Sequence, residues 1–190
     1  QDAVFVHLFE KYHSKGLSSW LNEKQMETVS RRAYMLMANL IGAKAADLEM
    51  TDSAGKPSTL YNVTADYTVV VFWDPTCGHC KEDLPRLDSV YRANWKAHNV
   101  KMYGVLSADS KEEMKPEWLK YIREHNLQDW VNVYQTRETE AANVAAQKPG
   151  YRQLYDVTLT PTIYLLDKEK RIIAKKLTWQ QLDDLLQVKW

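Results

Sequence analysis

The run Val69-Val70-Val71-Phe72-Trp73 constrains this chain more than any other segment. Five β-branched or aromatic residues without a polar break leave no face for solvent, which marks a strand covered on both sides. Four residues on come Cys77-Gly78-His79-Cys80, and Leu84, Leu87, Val90 and Tyr91 then recur at helical spacing in a helix reaching about Ala97. A buried strand that turns directly into a helix is the opening unit of an α/β architecture.

The flanking segments extend that pattern. Leu48–Thr51 and Ser58–Leu60 read as short strands about the turn Asp52–Lys56, and Val100–Leu106 as a core strand. Pro116–His125 reads as a helix with Trp118, Leu119 and Ile122 inward, Val131–Tyr134 as a strand, and Thr139–Gln147 as a weak helix ended by Pro149-Gly150. Thr162–Leu166 and Ile172–Leu177 flank the turn Asp167–Lys170, and Leu182, Leu185, Leu186 and Val188 close the chain on a helix. The prediction for residues 43–190 is a three-layer α/β sandwich around a mixed sheet.

Residues 1–42 read as a separate helical extension. Val4, Leu8, Phe9 and Tyr12 share one face up to a stop at Gly16. Asn22 is a good N-cap, with Gln25 completing a capping box. Met26, Val29, Ala33, Met37 and Leu40 then form a stripe ending at Gly42. Such a stripe is the mark of a helix packed on a neighbour rather than of a cofactor or partner box.

Lys plus Arg and Asp plus Glu both total 25, so the formal net charge is zero. A neutral chain without basic clusters carries no electrostatic footprint for nucleic acid or an anionic membrane. No apolar run approaches the roughly 20 residues of a membrane helix. The opening Gln1-Asp2-Ala3 has neither the basic segment nor the apolar core of a signal peptide. The chain's two cysteines are three apart, which does not suit a disulfide scaffold.

The placement of that pair has a chemical purpose. Cys77 falls at a helix N-terminus, where unpaired backbone N–H groups and the helix dipole stabilise an anion. The thiolate is the nucleophile of disulfide exchange, so this position activates Cys77. Cys80, one turn inside, is more sheltered and suited to attack the mixed disulfide formed at Cys77. Half of a zinc site has the same spacing, but the chain has no second cysteine pair, and His7, His13, His79, His98 and His125 are not paired at ligand spacing. An inert core pair is disfavoured by Gly78 and His79 between the cysteines. His79, when protonated, is placed to stabilise the thiolate.

Thr160-Pro161-Thr162 lies 84 residues after Cys77, counted to the proline, and opens the strand Ile163–Leu166. A proline at a strand entrance is commonly an edge marker. After an α/β region headed by this dithiol it reads instead as a cis proline beside the site, with adjacent backbone able to pair with an extended substrate.

Taken together, Phe72-Trp73, Cys77-Gly78-His79-Cys80, Lys81, Pro85 and Thr160-Pro161-Thr162 resemble the thioredoxin superfamily. Within it they are most similar to the TlpA-like envelope thiol–disulfide oxidoreductases of Gram-negative bacteria. The resemblance covers residues from about 44 to 190 and implies a thioredoxin-like fold. It implies Cys77 as nucleophile, Cys80 as resolving thiol and Pro161 as the cis proline. Trp73, Gly78, His79, Thr160 and Pro161 are expected to meet the substrate. Asp83 stands where this branch often has Glu, and a carboxylate there is expected to accept the proton of Cys80.

The sequence also departs from relatives. Val71 replaces the buried Asp of thioredoxin, and Gly78-His79 is the dipeptide of protein disulfide isomerases. In a peroxiredoxin the reactive cysteine needs upstream Pro and Thr plus an Arg, and Pro75 and Thr76 stand at the wrong offsets. A non-enzymatic module that only holds an extended chain beside Pro161 is the reading from another class.

What the resemblance implies for function is exchange with protein thiols and disulfides in the periplasm or cell envelope, more as a reductase than as an oxidase or isomerase. Electrons would come from a membrane thiol carrier. The redox group is the dithiol itself, so no cofactor, metal or nucleic acid is expected.

Overall fold

The computed structural model describes residues 1–109 and 111–189. Helices α1 (Asp2–Leu8) and α2 (Glu23–Met37) come first. Strands β1 (Glu49–Asp52), β2 (Pro57–Thr59) and β3 (Tyr67–Trp73) follow, then α3 (Gly78–Val90), β4 (Val100–Leu106), α4 (Lys111–Glu124) and β5 (Val131–Tyr134). Helices α5 (Arg137–Ala145) and α6 (Tyr151–Leu154) precede β6 (Thr162–Asp167), β7 (Ile172–Lys175) and α7 (Trp179–Gln187). The seven strands form one sheet in the order β2-β1-β5-β4-β3-β6-β7. The three central strands β5, β4 and β3 are parallel, and the flanking pairings are antiparallel. This is the thioredoxin-like sandwich that the motifs implied.

Alternation along β3 builds two cores. Val69, Val71 and Trp73 face a layer containing Leu84, Leu87, Trp95, Trp118, Tyr121 and Leu182. Val70 and Phe72 face the other, with Tyr103, Val105, Tyr151, Tyr155 and Tyr164. All five residues of the Val69–Trp73 run are fully buried, each aliphatic or aromatic side chain contributing about 1.5–3 kcal/mol by leaving water. Gly104 on β4 is required by a close approach. A Cβ there would lie 3.0 Å from Asn132 Oδ1 and 3.1 Å from Trp73 Nε1, so bare backbone lets the indole nitrogen come close.

The extension is built as its sequence predicts at its start. Asn22 caps α2, with both bonds of the capping box to Gln25 present. The buried stripe differs, since Ala33 and Leu36 are buried whereas Met26, Val29 and Met37 are only half-buried. The extension is also tied to the sandwich by polar contacts. Arg32 pairs with Asp156, Asn39 Nδ2 donates to the Leu154 oxygen, and Lys175 bonds Asp2 and Asn39.

Several boundaries move. Helix α4 starts at Lys111, five residues before the expected Pro116, whose absent N–H costs the exposed Glu112 carbonyl its partner while the helix continues. Helix α3 stops at Val90 and the chain widens into a π-helical turn, Tyr91–Trp95. Helix α5 starts at Arg137 because Thr136, not a later residue, accepts the capping bond from Thr139. Val188, expected in the terminal core, is exposed.

Candidate active site

The chain leaves β3 at Trp73 and makes a short turn in which the Cys77 N–H donates to the Asp74 oxygen at 3.1 Å. Cys77 is the N-cap of α3, with extended backbone (φ −72°, ψ 125°), and its own carbonyl accepts from the Lys81 N–H. The sulfur of Cys77 therefore stands at the open end of the helix. Sheet register brings the second segment alongside. Strand β6 pairs antiparallel with β3, Thr162 opposite Phe72, so the residues just before β6 pass the C-terminal end of β3. The Thr160–Pro161 peptide bond is cis, and Cys77 Sγ donates to the Thr160 backbone oxygen at 3.3 Å.

The two thiols occupy unlike surroundings. Cys77 is half-buried, whereas Cys80 is 1% exposed, and both are free. Burial by itself would raise the Cys77 pKa. Hydrogen bonds from the Thr160 side chain, from the Cys80 backbone and thiol and from the His79 backbone outweigh it, so the thiol lies below its ordinary value. Burial pushes Cys80 up to about 12, with negative charge on Cys77 adding to the rise. At neutral pH the outer sulfur is the readier nucleophile and the inner one stays protonated.

His79, Asp83, Thr160 and Pro161 share one groove of about 370 Å³, with Leu159, Lys176 and Trp179 on its other walls. Leu159 is 77% exposed beside it, and Thr162 Oγ1 donates to the Leu159 oxygen, which fixes the loop. Gly78 and His79 are exposed at the mouth.

Two expected roles change. Trp73, expected at the substrate, is fully buried, with its indole packed on Tyr121 at 5.2 Å rather than on the groove. The strand end beside the motif is roofed by α4, which carries that tyrosine. Asp83 is half-buried on the groove wall, and among the described residues no hydrogen bond joins it to Cys80.

Leu159, Lys176 and Trp179 are groove residues that the sequence reading missed. Thr178 and Gln181 form a capping box that starts α7 at Trp179, a signal legible in the sequence. Among the described residues no group of three or more His, Cys, Asp or Glu is placed to hold a metal ion, and no helix is long and apolar enough to cross a membrane.

Residues 41–175 match the AhpC/TSA family. No curated protein sequence matches the chain. Among solved structures, a domain of a possible thiol-disulfide isomerase from Cytophaga hutchinsonii is 35% identical, with a TM-score of 0.63, over 79% of this chain and 92% of that one. The thioredoxin domain of a thiol-disulfide oxidoreductase from Bacteroides vulgatus is 26% identical, with a TM-score of 0.63, over 78% and 96%. A thioredoxin-like protein from Bacteroides caccae, 24% identical with a TM-score of 0.70, shares the fold over 90% of this chain but only 57% of its own length.

Proposed function

Given that this chain belongs to the AhpC/TSA family, we propose that it is a thiol–disulfide oxidoreductase that reduces disulfides of other proteins through Cys77 and Cys80. The observation that carries the reading is the asymmetry of the pair. An accessible sulfur with a lowered pKa stands over a buried one whose pKa is raised to about 12.

The chemistry runs in two exchanges. The Cys77 thiolate attacks one sulfur of a substrate disulfide, forming a mixed disulfide, and the other substrate sulfur leaves as a thiolate that takes a proton. Cys80 then loses its proton and attacks Cys77 Sγ. The intramolecular disulfide forms, and the first substrate sulfur departs as a thiolate that is protonated in turn. The substrate gains two electrons, the dithiol loses two, and a thiol donor must restore it. No cofactor enters, since the sulfurs carry the electrons themselves.

Thr76 supports this choice over a peroxidase. Its N–H and hydroxyl both bond Asp74 Oδ1, at 2.7 and 2.6 Å, which directs the hydroxyl to a carboxylate rather than toward a peroxide on Cys77. The cell envelope as the setting and a membrane thiol carrier as the donor rest on the resemblance to the TlpA-like branch. They are tested by fractionation and by recovery of a Cys80→Ser mixed disulfide with its partner.

The deciding measurement is the equilibrium reduction potential of Cys77–Cys80 by thiol trapping. A value near about −270 mV fits a reductase, and one between about −180 and −120 mV reverses the direction. Cys77→Ser must abolish reduction of a protein disulfide such as that of insulin. Persistent binding of a physiological partner by a chain whose wild type reduces nothing would instead mark a holding module.

A further inference from the structure

The carboxyl edge of the parallel strands carries a second concavity, which shares no lining residue with the groove. Strand β5 ends at Tyr134 and the chain continues as Gln135. Thr51 of β1 pairs with Tyr134, so the start of β1 and the residues before it run past Gln135. The link from α5 to α6 lines the cavity as well, and its volume is about 210 Å³. The carboxyl ends of strands are where open α/β sheets bind ligands.

Gln135 is 5% exposed and lines this cavity, yet its side chain has no hydrogen-bond partner among the described residues. Buried carboxamides are almost always paired, because an unpaired one forfeits the bonds it made with water. The exposed Glu49 and Lys148 and the half-buried Asn143 line the same cavity, and their side chains are equally unengaged among the described residues. Asp47 Oδ1 accepts from the Leu48 and Tyr61 N–H groups at 2.8 and 3.0 Å, which holds that carboxylate in place. The remaining lining is apolar, with Leu48, Met50 and Tyr151 buried and Leu154 half-buried. The Tyr151 hydroxyl is already bonded to the Leu106 oxygen and to Ser107.

The signs of these groups narrow the ligand. An anion alone would meet two carboxylates. A cation alone would leave the Lys148 ammonium and the Gln135 N–H donors without an acceptor. A drug-sized molecule needs a pocket of at least about 300 Å³. A small molecule that carries both charges beside an apolar group answers the whole lining at once.

We propose that this cavity binds a free α-amino acid with an apolar side chain, such as leucine or methionine. Lys148 and the Gln135 amide N–H receive its carboxylate, Asp47 and Glu49 its ammonium, and Leu48, Met50 and Leu154 its side chain. The inference stands apart from exchange at Cys77 and does not depend on it.

Titration calorimetry and methyl NMR of the whole chain with L-leucine and L-methionine test it. Both should bind saturably and shift the methyl signals of Leu48, Met50 and Leu154. Leucinamide, which lacks the carboxylate, and isocaproate, which lacks the ammonium, should bind more weakly by about 10- to 100-fold, the range for hydrogen bonds to charged groups. Lys148→Ala, a change at an exposed position, and Gln135→Ala should each raise Kd for leucine by the same factor. Reduction of insulin disulfides by either variant should equal that of wild type.

A Kd weaker than about 1 mM for both amino acids overturns the inference. So do wild-type affinity in Lys148→Ala and Gln135→Ala, binding of leucinamide or isocaproate as tight as that of leucine, and methyl shifts confined to Leu159 and Ile163 of the groove.

Discussion

Arg32 of α2 and Asp156, 124 residues further along the chain, meet at 2.8 Å. The carboxylate is almost fully buried and also binds Lys176 Nζ, a residue of the groove wall. Asp156 lies in the loop that leads to Thr160-Pro161. The helical extension is thereby linked to the segment that faces Cys77, and an isolated sandwich would lose that support.

The two cations hold the Asp156 carboxyl below the usual carboxylate range, against the opposing effect of burial. A depressed carboxylate stabilises the fold above its unfolded pKa of about 3.9, and the contribution disappears as pH falls through the lower folded value. Asp156→Asn should therefore cost about 1–3 kcal/mol at pH 7, kept moderate because Arg32 and Lys176 are half-exposed. As pH falls through that lowered value, the variant and wild type should converge in urea denaturation.

Iodoacetamide at neutral pH should modify Cys77 and spare Cys80 in the reduced, folded chain, as mass spectrometry of the peptides would show. Cys77 reactivity should rise with pH to a midpoint below about 8.5, the value of a free cysteine. Cys80 should react only after unfolding, as expected of a thiol 1% exposed and raised to about 12.

Asp83→Asn separates a proton acceptor from a groove residue. With a small disulfide substrate, kcat should stay within about twofold of wild type, because Asp83 makes no hydrogen bond to Cys80 among the described residues. With a protein disulfide flanked by Lys or Arg, KM should rise severalfold as the charge complement on the groove wall is lost. A comparable fall in kcat for both substrates would restore the acceptor role.

Gly104→Ala should destabilise the fold by about 1–3 kcal/mol, read from the midpoint of chemical unfolding. The new methyl would meet Asn132, Trp73 and Trp130 at 3.0, 3.1 and 3.2 Å, three buried side chains that would each have to give way.

What was legible in the sequence is local. Val69–Trp73 declared a strand buried on both faces, Val100–Leu106 and Val131–Tyr134 matched β4 and β5 end to end, and Asn22 with Gln25 marked where α2 begins. Cys77, Cys80, Thr160 and Pro161 were legible as a group, and strand register brings them together. What escaped depends on residues far apart. Trp73 was expected at the substrate because it stands next to the motif, whereas α4 lays Tyr121 against its indole, and no local pattern pairs Arg32 with Asp156. Pro116 misplaced the start of α4 because proline is a good first-turn residue, whereas here it stands inside the helix on an exposed stretch.

The sheet has ends as well as a centre, and both are blunted. On one side β2 is three residues long and begins with Pro57, which has no N–H to offer. On the other, the start of β7 is covered, with the Gly42 N–H bonded to the Ile172 oxygen and the Ile172 N–H to Ala43. Neither margin gives a long free ladder on which another chain could add as a strand. On the exchange reading proposed above, the partners would be exposed, sticky polypeptides. A sheet whose margins are closed would offer such a chain no template on which to add and aggregate.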